Sequence, residues 1–167
     1  MDSDIVKLLL ALFLVLLNGF FVAAEFSIVK VRYSQIQLKA AEGNAMAKQT
    51  EFIIKRLDEY LSATQLGITL ASLALGWVGE SAMHHIIGNI FIYFNIALDP
   101  ATITTISLIL SFLLITIMHI VLGELIPKSI AIRKSEATAM AIAVPLRVFY
   151  TVFKPFIWSM NQMSNAF

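Results

Sequence analysis

From Ile5 to Val29 the chain runs almost without charge, and that run limits its possible folds more than any other feature. About 20 mostly apolar residues, rising 1.5 Å each, span a bilayer, and a backbone in hydrocarbon must satisfy its own N–H and C=O groups. Such a run is therefore expected to be a transmembrane helix. Two further stretches qualify, Leu61–Gly79 and Thr102–Ile126. Over all 167 residues, 59% are hydrophobic and 14% charged, where soluble domains are nearer half apolar and a quarter charged. The chain reads as one domain of an all-α membrane protein, with three transmembrane helices plus cytoplasmic juxtamembrane or interfacial helices. The start, MDSDIVK, is acidic, the apolar run is too long for a signal peptide, and no cleavage site ends it, so the first span is expected to be retained.

Basic residues orient the spans. Lys30, Arg32, Lys39, Lys48, Lys55 and Arg56 lie between the first and second, whereas residues 80–101 between the second and third hold no Lys or Arg. Lys128, Arg133 and Lys134 follow the third. The positive-inside rule then places the N-terminus outside and the C-terminus in the cytoplasm of a multi-pass cell (inner) membrane protein. The cytoplasmic link is expected to form two helices, Tyr33–Glu42 and Ala45–Tyr60, broken at Gly43-Asn44. Ser81–Ala97 is expected to form a short interfacial helix before Asp99-Pro100, with Trp77, Tyr93 and Phe94 in an aromatic belt near the outer boundary. Residues 137–167 are apolar but interrupted by Pro145, Pro155, Arg147 and Lys154. They form either a fourth span or a helix along the inner interface. The second is preferred, because it keeps the two cations out of the hydrocarbon.

Polar residues inside the spans are the candidate functional groups. An ionisable side chain at a span centre costs about 2.5–3.5 kcal/mol on insertion scales, so Glu25 and Glu124 call for a reason. Counted from the basic anchors Lys30 and Lys128, the two acids are expected at similar depth in the inner third. Helical spacing groups Asn18 with Glu25 on the first span. It groups Ser62, Gln65, Thr69, Ser72 and Gly76 on the second, and Thr116, His119 and Gly123 on the third, with Glu124 on its flank. Pro127 has no N–H to bond the Gly123 carbonyl, which is expected to be free beside a carboxylate. Such oxygen ligands suit hard cations such as Mg²⁺ or Na⁺. Plainer roles stand beside these: helix packing for Ser62, Ser72 and Gly76, ion pairing of Glu25 with Lys128 or Lys30, packing for His119, and a helix end at Pro127.

Other classes are disfavoured. The net charge of +1 gives no electrostatic basis for nucleic-acid binding, and the absence of cysteine removes thiolate chemistry. No G-x-S-x-G, H-E-x-x-H or P-loop pattern occurs, and the adjacent pair His84-His85 points to different helix faces, so no enzyme is expected.

Three ordered stretches, LNGFFVAAEFSIVKVRYSQI, LSATQLGITLASLALGWVGE and GELIPKSIAIRKSE, resemble the transmembrane domain of the cyclin M (CNNM)/CorC proteins, and more narrowly their HlyC/CorC hemolysin-like branch. The resemblance implies a CNNM-type domain over residues 1–136 and a juxtamembrane helical segment over 137–167. It implies a homodimer in the lipid bilayer and a longer protein whose cytoplasmic CBS and C-terminal CorC/HlyC domains lie outside this chain. It also implies a divalent-cation transporter, with Mg²⁺ as cargo and Na⁺ as coupling ion, holding the cation in an inward-facing site between the three helices. Glu25, Gly123, Glu124, Asn18, Gln65, Thr69 and Ser72 are the candidate ligands, with Pro127 and Lys128 completing the G-E-x-x-P-K motif. Two departures stand out. Val22 occupies the position of a family serine, and Ile68 and Ser72 occupy those of two asparagines. They motivate an alternative, a non-transporting membrane anchor and dimerisation module for the CBS domains.

Overall fold

The computed structural model describes the backbone of residues 2–94 and 98–165, with side chains at 5–79, 83–91, 93–94 and 98–163. The described residues are helical almost throughout: α1 (Asp2–Lys30), α2 (Tyr33–Ala41), α3 (Ala45–Ile54), α4 (Leu57–Tyr93), α5 (Pro100–Met118), a π-helical turn (His119–Leu125), α6 (Ile126–Arg133) and α7 (Ser135–Asn165). Among the described residues, four stretches are long and apolar enough to cross a bilayer: Ile5–Lys30, Leu57–Phe91, Pro100–Arg133 and Ser135–Met163. The expected count was three. Length and composition add α7 to the helices capable of crossing.

Helix ends fall where local chemistry sets them. Gly43, at φ +94°, takes a backbone conformation that an L side chain disfavours, and the Asn44 N–H returns to the Lys39 carbonyl at 3.1 Å. Asn44 then caps α3 by accepting the Ala47 N–H at 3.1 Å. At the other boundary Asp99 caps α5 through Thr102, with Pro100 in the first turn. The Thr102 hydroxyl and N–H hold the Asp99 carboxyl below its usual pKa.

Three expectations change. The second helix of the link between the first two spans stops at Ile54 rather than Tyr60, with Lys55 and Arg56 closing a turn. Ile53 and Tyr60, on either side of the break, both enter one core. The expected interfacial helix over 81–97 is, as far as Tyr93, a continuation of α4, while 95–97 lie outside the described residues. This continuity puts Trp77 and Tyr93 about 24 Å apart along one axis, so they do not share a belt. Both are nonetheless highly exposed. Finally, the third span does not end at Pro127 but runs on from α5 through the π turn and α6. The π turn precedes the proline and the helix continues to Arg133. One extra residue in the turn swings carbonyls away from the proline ring, which would clash with them in regular α geometry.

The helices close on four apolar clusters. Ala11, Leu14 and Val15 of α1 meet Leu75 of α4 and Ile115 of α5. Toward the Lys30 end, Ala24 and Ile28 join Ile53, Tyr60 and, from α7, Ile142, Ala143 and Leu146. Ile36, Ala40 and Ala47 pack on Ala139, and Ala63 and Leu66 pack on Ile157. Ala63, Gly67, Ala71 and Leu75 form the buried face of α4, one position round from the polar stripe, whose Gln65, Thr69 and Gly76 are exposed.

Close approach of α1 to α4 depends on Gly67. A β-carbon there would stand 2.5 Å from the Phe21 ring, which is itself only 3% exposed and tilted onto Phe149. Gly67→Ala should therefore destabilise the fold by about 1–3 kcal/mol, as overpacking does. Gly76→Ala meets nothing within 4 Å and should change stability by no more than about 0.5 kcal/mol. Unfolding of both variants in one detergent checks the contrast.

Candidate cation site

Asn18 is the centre of the polar groups in the bundle. It is fully buried, and each end of its amide is used. Its Nδ2 donates to the Gly123 carbonyl at 3.0 Å, and its Oδ1 accepts the Ser72 hydroxyl at 3.1 Å. Ser72 also lies 3.4 Å from His119 Nε2, and His119 stands 3.8 Å from a Glu124 carboxylate oxygen. Five residues of α1, α4 and the π turn thus form one connected set. The Gly123 carbonyl, expected to be free for want of a Pro127 N–H, is covered instead by the Asn18 amide. A bare carbonyl or amide in such an interior costs more than the hydrogen bond that covers it.

Local sequence explains the approach. A β-carbon on Gly123 would stand 2.9 Å from the His119 ring and 3.2 Å from Asn18 Nδ2, so only glycine admits the amide. One turn further, Pro127 is seated on Gly19, where a β-carbon would come within 2.8 Å of the proline ring. Gly19 and Gly123 together let α1 and the π turn run side by side. Pro127 therefore has a packing role as well as a backbone one.

The same contacts fix depth. Gly123 is opposite Asn18 and Pro127 is opposite Gly19, so Glu124 lies near the level of Asn18. Glu25 is seven residues later on α1, about 10 Å deeper. The two acids are not at one depth. Counting from lysine anchors fails because Lys128 reaches along the bundle, its ammonium 4.4 Å from the Phe26 ring centre. Glu25 is half-buried, and among the described residues it forms no ion pair within 4.0 Å with Lys128 or Lys30.

The remaining candidates separate similarly. Asn18, Ser72, Gly123 and Glu124 are brought together, and His119, first read as packing, joins them. Gln65 is exposed, and Thr69 donates its hydroxyl to the Gln65 carbonyl at 2.8 Å, so neither enters the set. At the departing positions, Val22 is 4% exposed and Ile68 packs on the inner apolar cluster. Among the described residues, no three His, Asp or Glu side chains cluster as a metal site would require. A groove of about 320 Å³, lined by Ser72, Gly76, Phe112, Thr116 and His119 among others, runs between α4 and α5 toward the Asp99 end. The Glu124 side chain is half-exposed beside His119.

Comparison with known proteins agrees with these motifs. The family model for the cyclin M transmembrane N-terminal domain matches residues 9–167. The chain is 45% identical over 163 residues to UPF0053 protein YhdP of Bacillus subtilis, covering 97% of this chain and 36% of that protein. It is 41% identical over 156 residues to UPF0053 protein YrkA of the same organism, covering 93% and 36%. It is 26% identical over 154 residues to a Haemophilus influenzae protein named Polyamine export protein, covering 92% and 35%. The chain thus spans about a third of the length of these relatives.

Asn18→Leu fills similar space but removes both hydrogen bonds. It should cost about 1–3 kcal/mol, the penalty for stranding a buried carbonyl. Asn18→Leu with Ser72→Ala should cost less than the sum of the two single changes, because the residues share one bond. Thermal unfolding of the three variants measures the coupling.

Proposed function

The chain belongs to the cyclin M transmembrane N-terminal domain family, and from that membership we propose that it is the membrane-embedded, cation-handling part of a longer transporter. Mg²⁺ is the proposed cargo and Na⁺ the proposed coupling ion. The observation that carries this reading is the convergence of Asn18, Ser72 and the Gly123 carbonyl beside Glu124. Hard cations take such oxygens, and a π turn that redirects a backbone carbonyl inside a membrane helix is a recurring feature of functional sites. The name of the Haemophilus relative widens the cargo to organic cations, which a transport assay should include.

A cation entering this site competes with the Asn18 amide for the Gly123 carbonyl. Rotation of that amide by half a turn exchanges its ends. Oδ1 then joins the Gly123 oxygen facing the cation, while Nδ2 donates to Ser72. The serine hydroxyl, able to donate or accept, then turns its proton toward His119. Glu124 supplies the charge. The groove on the Asp99 side adjoins the set at Ser72 and His119, with Glu124 beside His119, so exchange of the amide alters what faces the groove. Glu25 with Lys128, about 10 Å deeper, lies on the path toward the cytoplasm.

The N-terminus is placed outside and the C-terminus in the cytoplasm of the inner membrane, on the charge asymmetry of the links. The parallel course of α1 and α5–α6 agrees with this. For α7 the interfacial position is preferred. Between Tyr150 and Asn161 it advances about 16 Å along itself, yet their hydrogen-bond partners on α4 move only from Glu59 to Ser62, about 5 Å. So steep a crossing of α4 supports a course for α7 nearer the membrane plane. A homodimer, with CBS domains supplied by the rest of the full-length protein, completes the proposal.

A second reading, a membrane anchor and dimerisation module without transport, draws on the capped Gly123 carbonyl and on the apolar Val22 and Ile68. Flux separates the two. In proteoliposomes of the full-length protein, Glu124→Ala should lower Mg²⁺ flux about 10–100-fold with folding intact. Equal flux in mutant and wild type would reject the site, and none in either would favour the anchor. Orientation is tested by single cysteines in this cysteine-free chain. Ser34→Cys and Met163→Cys should react with an impermeant thiol reagent only from inside, and Ala101→Cys only from outside. Labelling of Met163→Cys from outside would make α7 a fourth span.

A further inference from the structure

α7 has three faces. Ala139, Ile142, Ala143, Leu146 and Ile157 are buried against the bundle. Val144, Val148, Val152 and Phe156, at four-residue intervals, are 43–66% exposed and form an unbroken apolar stripe. Arg147, Thr151, Lys154, Trp158 and Asn161 follow the third face at helical spacing. Such a helix has its apolar stripe in acyl chains and its basic flank at the headgroups.

On that flank, a cavity of about 320 Å³ opens between the start of α4 and the second half of α7. Arg56, Glu59, Tyr150, Lys154, Trp158 and Asn161 line it over a floor at Ile157. Its polar groups are biased toward donors. The carboxylate of Glu59 is engaged by the Tyr150 hydroxyl, and the Asn161 carbonyl oxygen accepts Ser62 at 2.7 Å, which leaves the Asn161 NH₂ directed elsewhere. Arg56 and Lys154 form no ion pair among the described residues. Arg56 is held with its guanidinium 4.1 Å over the Phe52 ring, which leaves its N–H edge available. Trp158, 64% exposed at the rim, is the side chain that favours headgroup depth.

We propose that this cavity binds the phosphate of an anionic membrane lipid, with Arg56, Lys154 and the Asn161 amide as donors and Trp158 against the glycerol region. The occupant is a lipid rather than free phosphate because the apolar stripe of α7 and the Ile157 floor adjoin the cavity and accept the acyl chains. The proposal rests on the interfacial reading of α7. It does not depend on which cation is carried.

Native mass spectrometry of the chain, titrated with phosphatidylglycerol or phosphatidylcholine, tests it. Each basic residue near a lipid surface is worth about fivefold in affinity, so wild type should prefer phosphatidylglycerol by about 25-fold. Arg56→Gln with Lys154→Gln should abolish that preference, while Arg133→Gln with Lys134→Gln should keep it. Circular dichroism of each variant controls for folding. No lipid preference in wild type, or an equal preference in the Arg56/Lys154 variant, overturns the proposal. Displacement of the lipid by millimolar inorganic phosphate would mark a site for the free ion and also overturn it. The Met163→Cys labelling keeps the two readings apart. Labelling from inside without lipid preference rejects this site alone, whereas labelling from outside rejects the interfacial helix and this site together.

Discussion

A buried amide with both ends occupied is the constraint on which the bundle depends. Asn18, itself fully buried, ties α1 to α4 through Ser72 and to the π turn through the Gly123 carbonyl. Several other features follow from it. Residue 123 must be glycine for the amide to reach the carbonyl, and the wider turn presents that carbonyl sideways. Pro127, one turn later, settles against Gly19 and fixes the register of the two helices.

The Lys30 end of the bundle is held differently. Phe52 of α3 has the guanidinium groups of both Arg56 and Arg147 at 4.1 Å from its ring centre, and Arg147 donates to Gln49. Lys39 pairs with Glu136, and Thr50 donates to the Ala139 carbonyl at 3.4 Å. These contacts fasten the start of α7 to α2 and α3 and aim the rest of it across α4. Partly exposed ion pairs contribute little individually. The apolar cluster of Ala24, Ile28, Ile53, Tyr60, Ile142 and Leu146 beneath them supplies most of the attachment.

For function, the arrangement reconciles the family motifs with the departures from them. The serine at position 72 stands where relatives are expected to carry an amide, yet it is hydrogen-bonded into the same set through Asn18. His119 joins that set and links it to Glu124. A polar network of this kind either binds something or specifies one packing of three helices, and the transport and labelling experiments distinguish these roles.

The sequence by itself determined which segments are helices, where Gly43-Asn44 and Asp99-Pro100 interrupt them, and which polar residues share a helix face. Those properties arise within one segment, from period, capping chemistry and apolar length. It also marked Asn18, Ser72, Gly123 and Glu124, because a polar group inside an apolar run is visible without a fold. Only the tertiary structure decided how the helices stand against one another. It set Glu124 beside Asn18 rather than at the depth of Glu25, and covered the Gly123 carbonyl. It also showed His119 to be a member of the set, and made α4 a single helix through Tyr93. Axial register between helices comes from the seating of one surface on another, here Pro127 on Gly19 and the Phe21 ring on Gly67. A count along a single helix carries no information about that seating.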